Sequence, residues 1–285
     1  MGYVFAILTG VFFGLQGFVS KIVGRNMPPQ ILSWAMFTFS LPVLTSLLIY
    51  TGIPQIDWPK FLFGLSISFV VNIIAWHLFF KALQMGDIAH TMPFTAFTPV
   101  FLIPVSYFMI GELPNQLGFA GIVLIFIGGF VIHLKSDNLL EPLRALFSHR
   151  GTRIMLFVAF IWSFSATGEK IAVLASSQTF YGFAIVFAIS LFYSLYFFKQ
   201  RARLLNIIQM NWKGLIILGV VSGLGFLFQF TALKALLVSY VIAFKRAGVI
   251  VSVIMGILFF NEKNALKNTL ATLIMVAGVF LLILS

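Results

Sequence analysis

Long apolar runs separated by short polar breaks make up almost the whole chain. Ten such runs occur, each of about 20 residues, the length that an α-helix needs to cross ~30 Å of hydrocarbon. Glycine, proline and asparagine clusters mark the breaks between them. The approximate limits of the runs are 3–22, 31–50, 61–83, 88–110, 115–134, 154–174, 179–198, 214–236, 238–260 and 267–285. The pattern predicts an all-α polytopic membrane protein with ten transmembrane helices.

The second half of the chain repeats the first. Residues 61–134 recur without a gap 150 positions later. The matched pairs include Gly64 with Gly214 and Glu112 with Glu262. The opening segment repeats one residue out of step, with Lys21 against Lys170 and Ile22 against Ile171.

Each copy contains five spans, and this odd number fixes how the copies are related. Two copies of a five-helix unit in one chain must enter the membrane in opposite orientations. We therefore predict a 5+5 inverted-topology repeat, the architecture on which alternating-access carriers are built. The predicted units are a first repeat at 1–134, a linker at 135–153 and a second repeat at 154–285.

The composition supports the membrane interpretation. Hydrophobic residues form 61% of the chain, charged residues 9%, and the mean hydropathy is +1.08, which excludes a soluble globular protein. The absence of cysteine excludes disulfides and thiolate metal sites. The net charge of +11 does not indicate nucleic-acid binding, because the basic residues lie in short loops between the spans. The first run lacks a basic leader and a cleavage site, so we expect a retained helix.

The placement of lysine and arginine gives an expected orientation. The loops after the odd-numbered spans carry most of these residues, whereas Lys60 is the main one in the other loops. The positive-inside rule then places both termini outside. We expect a multi-pass protein of the cell (cytoplasmic or inner) membrane.

Lys245 and Arg246 are the foremost candidates for binding, because charged groups inside a membrane are costly. They predict a cationic site for a carboxylate or phosphate. The alternative is that they snorkel to the interface or pair with an acid such as Glu169. Neighbouring residues of a helix diverge by ~100°, so we do not expect both to face one cavity.

Other polar residues in the spans are further candidates. Glu169, which precedes Lys170 late in the sixth span, has two interpretations, an internal or boundary ion pair or a proton-coupling carboxyl. Asn72 and Trp76 share one helix face with His77 one step around, and they provide either solute contacts or interhelical contacts. The remaining substrate-binding candidates are Trp162, Ser165 and Gln229.

Other sequence features concern the packing of the helices. The absence of further motifs argues against catalysis and metal binding. The small-residue pairs Gly10/Gly14 and Gly219/Gly223 predict close helix contacts. Span four contains three prolines that its counterpart lacks, which predicts bending on one side only. We find no catalytic constellation, no phosphate-binding loop and no second metal ligand near His77. The sequence therefore predicts no enzyme activity, no cofactor and no metal.

Short motifs at the end of each repeat carry a family resemblance. In the first half they run from Thr98-Pro99-Val100-Phe101 through Gly111-Glu112 to Gly118-x2-Gly121. In the second half they are Lys245-Arg246-Ala247, Asn261-Glu262-Lys263 and Ala277-Gly278-Val279. With the 5+5 spans, the chain resembles the EamA-type members of the drug/metabolite transporter superfamily over essentially its whole length.

The resemblance implies a carrier with a central cavity between the halves, met by Asn72, His77, Trp162 and spans four and nine. It also implies movement of small metabolites, amino acids or drugs, often outward. Many relatives have cytoplasmic termini, opposite to the charge count. Small four-helix relatives carry a glutamate in the middle of their first helix, where this chain has Gly14-Leu15-Gln16-Gly17.

We therefore expect a secondary transporter that exports a small organic metabolite, such as an amino acid or another carboxylate-bearing solute, by alternating access. The alternatives are a multidrug efflux transporter and a non-transporting or lipid-handling accessory protein. The expected partners are a small-molecule substrate and the lipid bilayer. Both a monomer and a homodimer are compatible with the sequence.

Overall fold

The computed structural model describes residues 1–23, 27–85, 92–133, 150–198, 201–248, 250–251, 254–255 and 265–285. These residues form ten α-helices and one 3₁₀ turn, and they contain no strand. The helices are α1 Gly2–Val23, α2 Pro29–Thr51, α3 Trp58–Met85, α4 Thr98–Ile110, α5 Gln116–His133, α6 Arg150–Leu174, α7 Gln178–Tyr196, α8 Arg201–Ala235, α9 Val238–Ala247 and α10 Ala265–Leu284. The predicted all-α class is confirmed.

Length and composition place nine of these ten helices in two groups. Six of those in the described ranges are long and apolar enough to cross a membrane, namely α1, α2, α3, α6, α7 and α8. Shorter apolar helical segments lie at Phe94–Ile110, Gln116–Val131 and Leu270–Leu284. Residues 135–149 of the predicted linker and Glu262 lie outside the described residues, and residues 150–153 belong to α6.

Helix α8 is longer than predicted. The expected span began at residue 214, but the helix begins at Arg201 and extends for 35 residues. The polar segment before the span contains no proline or glycine, and its leucine and arginine residues are good helix formers. Prediction from hydropathy alone therefore places the start of this helix too late, because its first residues are more polar than the span that follows.

Span four is not a single α-helix. A 3₁₀ turn occupies Met92–Phe97, and α4 begins only at Thr98, with Pro99 in its first turn. Proline lacks a backbone N–H and is tolerated in the first helical turn, where that N–H has no partner within the helix. Pro104 then lies inside α4. The predicted irregularity of this span is thus concentrated at its start.

The helices pack in symmetric pairs. Helix α3 lies against α6, and α1 lies against α8, which are the same pair after the halves are exchanged. Helices α5 and α10 pack on each other, as do α2 and α7, and both pairs map onto themselves under that exchange. This pattern is the one that a 5+5 inverted repeat requires, in agreement with the predicted fold class.

Glycines lie at two further close helix contacts, of α1 with α9 and of α8 with α2. A Cβ added at Gly10 would lie 2.5 Å from the Phe244 carbonyl oxygen, and one at Gly14 would overlap the carbonyl of Gly248. Gly219 meets the backbone of Phe39 in the same way. The predicted packing role of the small-residue pairs is confirmed.

Gly128 and Gly129 provide a matched test of this packing in α5. A Cβ at Gly128 would overlap Met275 and lie 2.7 Å from the Ala271 oxygen, whereas one at Gly129 would lie 3.5 Å from its nearest neighbour. We expect Gly128→Ala to lower the thermal unfolding temperature of the purified protein. Gly129→Ala should leave it unchanged or raise it, because alanine favours a helix by about 1 kcal/mol over glycine. Equal effects of the two substitutions would contradict this packing.

Both termini and the loops after the even-numbered helices lie on one surface, which we call the terminal face. Asn115 donates to the Ser285 carbonyl at 2.9 Å, and the Asp57 backbone N–H donates to the Ala175 carbonyl at 2.8 Å. Hydrogen bonds therefore connect the loops of the two halves on this face. On the same face, the side-chain hydrogen bond from Lys60 holds the pKa of Asp57 below its ordinary value, and this pair is exposed.

Candidate functional site

A cavity of about 190 Å³ lies between the two halves, with walls from both repeats. Its lining is mainly apolar and aromatic, with a small group of polar and charged side chains. The lining residues are Phe13, Gln16, Met36, Phe37, Asn72, Trp76, Thr98, Trp162, Ser165, Ala166, Glu169, Ile185, Val186, Ile189, Phe226, Gln229, Phe230, Ile242, Lys245 and Arg246. A mostly apolar pocket with a few convergent polar groups is typical of a small-molecule site.

Most of the side chains singled out from the sequence meet in this cavity. They come from helices α3, α6, α8 and α9, which belong to both halves. The predicted candidates that line it are Asn72, Trp76, Trp162, Ser165, Glu169, Gln229, Lys245 and Arg246. Their role in binding stays a prediction.

Five polar side chains form one hydrogen-bonded chain across the cavity. Asn72 donates to the Ser165 hydroxyl at 2.7 Å, and Ser165 donates to Glu169 Oε1 at 3.3 Å. Gln229 donates to Glu169 Oε2 at 2.6 Å and accepts from Lys245 Nζ at 2.9 Å. The Gln229 amide therefore bridges the carboxylate and the ammonium. We call this set the polar chain.

Lys245 and Arg246 both line the cavity, so the expectation that they would not share it is wrong. Lys245 Nζ lies 3.9 Å from the centre of the Phe13 ring, and Arg246 Cζ lies 5.5 Å from the Trp162 ring centre. Arg246 also donates to the Thr98 hydroxyl at 2.9 Å. Their Cβ atoms diverge as helix geometry requires, but both long side chains reach one cavity, where they contact different aromatic rings.

Further lining residues were missed by sequence reasoning, although the repeat contained the signal. Phe13 is the repeat counterpart of Trp162, and Gln16 is the counterpart of Ser165. Phe226 is likewise the counterpart of Trp76. Applying the repeat offset to each candidate would therefore have found these three. Thr98 carries no such signal, since only the position of Arg246 makes it part of the site.

His77 does not reach this cavity. It lines a separate groove between α2, α3 and α7 with Ile31, Ile73 and Tyr193 among its neighbours. Consecutive positions of a helix diverge by ~100°, which turns His77 away from the face that Trp76 shares with Asn72. The expectation that His77 lies in the central cavity is wrong.

Glu169 and Lys170 are adjacent in sequence but have different partners. Lys170 forms an ion pair with Glu112 at the terminal face and donates to the Leu236 carbonyl at 2.6 Å. Glu112 also accepts from the Val238 backbone N–H at 2.9 Å. This boundary ion pair joins the loop after α4 to α6 and to the start of α9, and it leaves Glu169 to the cavity.

Comparison with known proteins identifies the class of this cavity. The model of the EamA-like transporter family matches residues 1–134 and 149–284. The chain belongs to the EamA-like transporter family. The resemblance read from the repeat-ending motifs is therefore confirmed, and the chain is a member of a family of transporters. Membership points to transport rather than to an enzyme.

Individual proteins are also similar to this EamA-like chain. The uncharacterized transporter YwfM of Bacillus subtilis (strain 168) is 28% identical over 135 residues, which are 46% of this chain and 45% of that protein. The match thus spans less than half of the relative's length. A crystal structure of a protein with 16% identity covers 99% of this chain and 96% of its own, with a TM-score of 0.74. At that identity the likeness shows the fold alone.

No group of three or more histidine, cysteine, aspartate or glutamate side chains in the described ranges is arranged to hold a metal ion. The described residues that line this EamA-like cavity offer hydrogen bonding, charge and aromatic contact. These are the interactions that select and orient a solute.

Proposed function

We propose that this protein is a secondary transporter of the cytoplasmic membrane that exports a small carboxylate-bearing metabolite, such as an amino acid or another organic acid, by alternating access. The observation that carries the proposal is the pair of cations, Lys245 and Arg246, in one largely apolar cavity between the halves. Guanidinium and ammonium groups bind carboxylates, and the low polarity around them strengthens the attraction.

Two further observations support a carrier rather than an accessory protein. The cavity walls come from both repeats, so a movement of one half relative to the other changes the site. The contacts of the terminal face join the same two halves, through Glu112 and Lys170. A carrier that works by alternating access must make and break such contacts as it exposes its cavity to each side in turn.

Counterflow in proteoliposomes tests the proposal. Vesicles with purified protein are loaded with one unlabelled solute from a panel of carboxylates and amino acids, and uptake of the labelled solute is measured. We expect saturable, protein-dependent uptake of at least one carboxylate-bearing solute, and none in protein-free vesicles. Flux confined to cationic drugs would support a multidrug exporter instead. Absence of flux across both panels would favour an accessory role.

Neighbouring residues of α3 provide a matched pair of variants for this assay. Trp76 lines the cavity, whereas His77 lies in the separate groove. We expect Trp76→Ala to lower uptake by about tenfold or more, since large aromatic contacts dominate many binding sites. His77→Ala should stay within about twofold of the parent protein. If the histidine variant is the more impaired of the two, the cavity has been wrongly assigned.

A further inference from the structure

The one carboxylate among the described residues that line the cavity is already engaged. Glu169 Oε1 accepts from Ser165 and Glu169 Oε2 accepts from Gln229, at 3.3 and 2.6 Å. Gln229 in turn accepts from Lys245 at 2.9 Å, so the amide couples the carboxylate to a cation. The negative charge of Glu169 is therefore balanced inside the polar chain.

Among the described residues, Arg246 has no such counter-charge. Its Nη2 donates to the neutral Thr98 hydroxyl, and its Nε is buried without a hydrogen-bond partner in the described part of the chain. With Lys245 and Glu169 balanced, the described side chains that line the cavity carry a formal charge of +1, located at this guanidinium. A buried donor without an acceptor is costly, so the site favours a ligand that supplies one. A carboxylate matches the fork of a guanidinium with two parallel hydrogen bonds.

The apolar lining and the volume of the cavity determine the size and polarity of the rest of the ligand. Aromatic rings of Phe13, Trp76, Trp162 and Phe226 face the cavity, opposite the aliphatic side chains of α7. An apolar cavity of ~150 Å³ accommodates one benzene ring. The cavity of about 190 Å³ is thus suited to a single ring or a short branched chain with one acidic group.

We infer that the preferred substrate is a monoanionic organic acid with an apolar or aromatic body and no ammonium group. The inference rests on the proposed transport function and narrows its substrate class. The ammonium of an amino acid needs a free carboxylate, and Glu169 is held by Ser165 and Gln229. That ammonium would instead lie in a cavity with two cations, Lys245 and Arg246, where like charges repel.

Three compounds of one shape test the inference on the purified, full-length protein. They are 3-phenylpropanoate, L-phenylalanine and 3-phenylpropan-1-ol, which are an anion, a zwitterion and a neutral analogue. Affinities are measured by isothermal titration calorimetry, with the ligand-induced rise in unfolding temperature as a second measurement. We expect 3-phenylpropanoate to bind at least about tenfold more tightly than either other compound, a factor that corresponds to 1.4 kcal/mol.

Two variants test whether the charge of Arg246 causes the preference for 3-phenylpropanoate. Arg246→Gln should remove the difference between the propanoate and the alcohol, because it removes the unbalanced charge. Glu169→Gln should strengthen the binding of the propanoate, since it removes a negative charge from the cavity. The parent-protein comparison needs no variant, so the test stands even if one of them fails to fold.

The outcomes separate the inference from the proposed function. The inference is overturned if phenylalanine binds as tightly as the propanoate and loses affinity in Glu169→Gln, which would make Glu169 the acceptor for the ammonium. It is also overturned if the propanoate binds no better than the alcohol. Saturable amino-acid counterflow with either result would leave the transport function standing. Absence of flux for every carboxylate-bearing solute would remove the transport function itself.

Discussion

Replacement of Glu112 by alanine is expected to destabilise the protein more than any other single change on the terminal face. The Glu112 and Lys170 side chains are only 16% and 8% exposed, and Glu112 also accepts from the first backbone N–H of α9. Removal of one partner from a buried ion pair costs about 3–5 kcal/mol, because the other charge remains buried. At ~2–4 °C per kcal/mol, the apparent unfolding temperature should fall by roughly 6 °C or more.

The chain offers a matched control for this experiment. Asp57 and Lys60 also form an ion pair on the terminal face, but their side chains are 42% and 73% exposed. Asp57→Asn should therefore change stability by less than about 1 kcal/mol. The double variant Glu112→Leu/Lys170→Met should regain much of the loss, since an apolar pair of similar volume often replaces a buried ion pair without cost. Equal effects of Glu112→Ala and Asp57→Asn would contradict this assignment.

Replacement of Lys245 by methionine is expected to abolish most of the affinity for an anionic solute. Among the described lining residues, one carboxylate, Glu169, and one cation, Arg246, would then remain, with no net charge. Two unit charges 4–8 Å apart attract each other by about 2–4 kcal/mol at an effective dielectric constant of 20. Loss of one cation should therefore lower the affinity about 30-fold or more. Calorimetric titration with 3-phenylpropanoate measures the change.

A second substitution distinguishes loss of charge from loss of structure. Lys245→Met/Glu169→Gln restores the formal charge of +1 at Arg246, and we expect it to recover affinity to within about tenfold of the parent protein. Gln229, which bridges the two altered residues, provides the internal check. Gln229→Met keeps both charges and should weaken binding less than Lys245→Met. If the double variant is no better than the single one, net charge does not control recognition.

The sequence was sufficient for the fold because the fold is encoded redundantly. Each span is apolar over its whole length, and each of them has a counterpart in the other half. The predicted helix bounds are wrong where hydropathy does not determine the backbone conformation. The two cases are the polar start of α8 at Arg201 and the 3₁₀ turn before Thr98. A hydropathy pattern measures burial in lipid, and it contains no information about where a helix continues into water.

The site was only partly predictable, for a different physical reason. Helix periodicity fixes the direction of a Cβ atom, which was enough to group Asn72 with Trp76. It does not fix where the ends of long side chains lie, and so the meeting of Lys245 and Arg246 in one cavity was missed. Nor does it show that Lys170 pairs with Glu112, since that contact depends on how the two halves dock.

The aromatic walls of the cavity are related by the repeat, but the charges are not. Phe13 and Trp162 are counterparts on α1 and α6, yet the cations beside them both come from α9. A solute that pairs with Arg246 would therefore contact the two repeats unequally, because the repeat counterpart of Arg246 is Ala96. Among the described residues that line the cavity, all of the charged side chains belong to the second repeat. The two halves would thus contribute similar aromatic surfaces but unequal electrostatic interactions to the recognition of an anion.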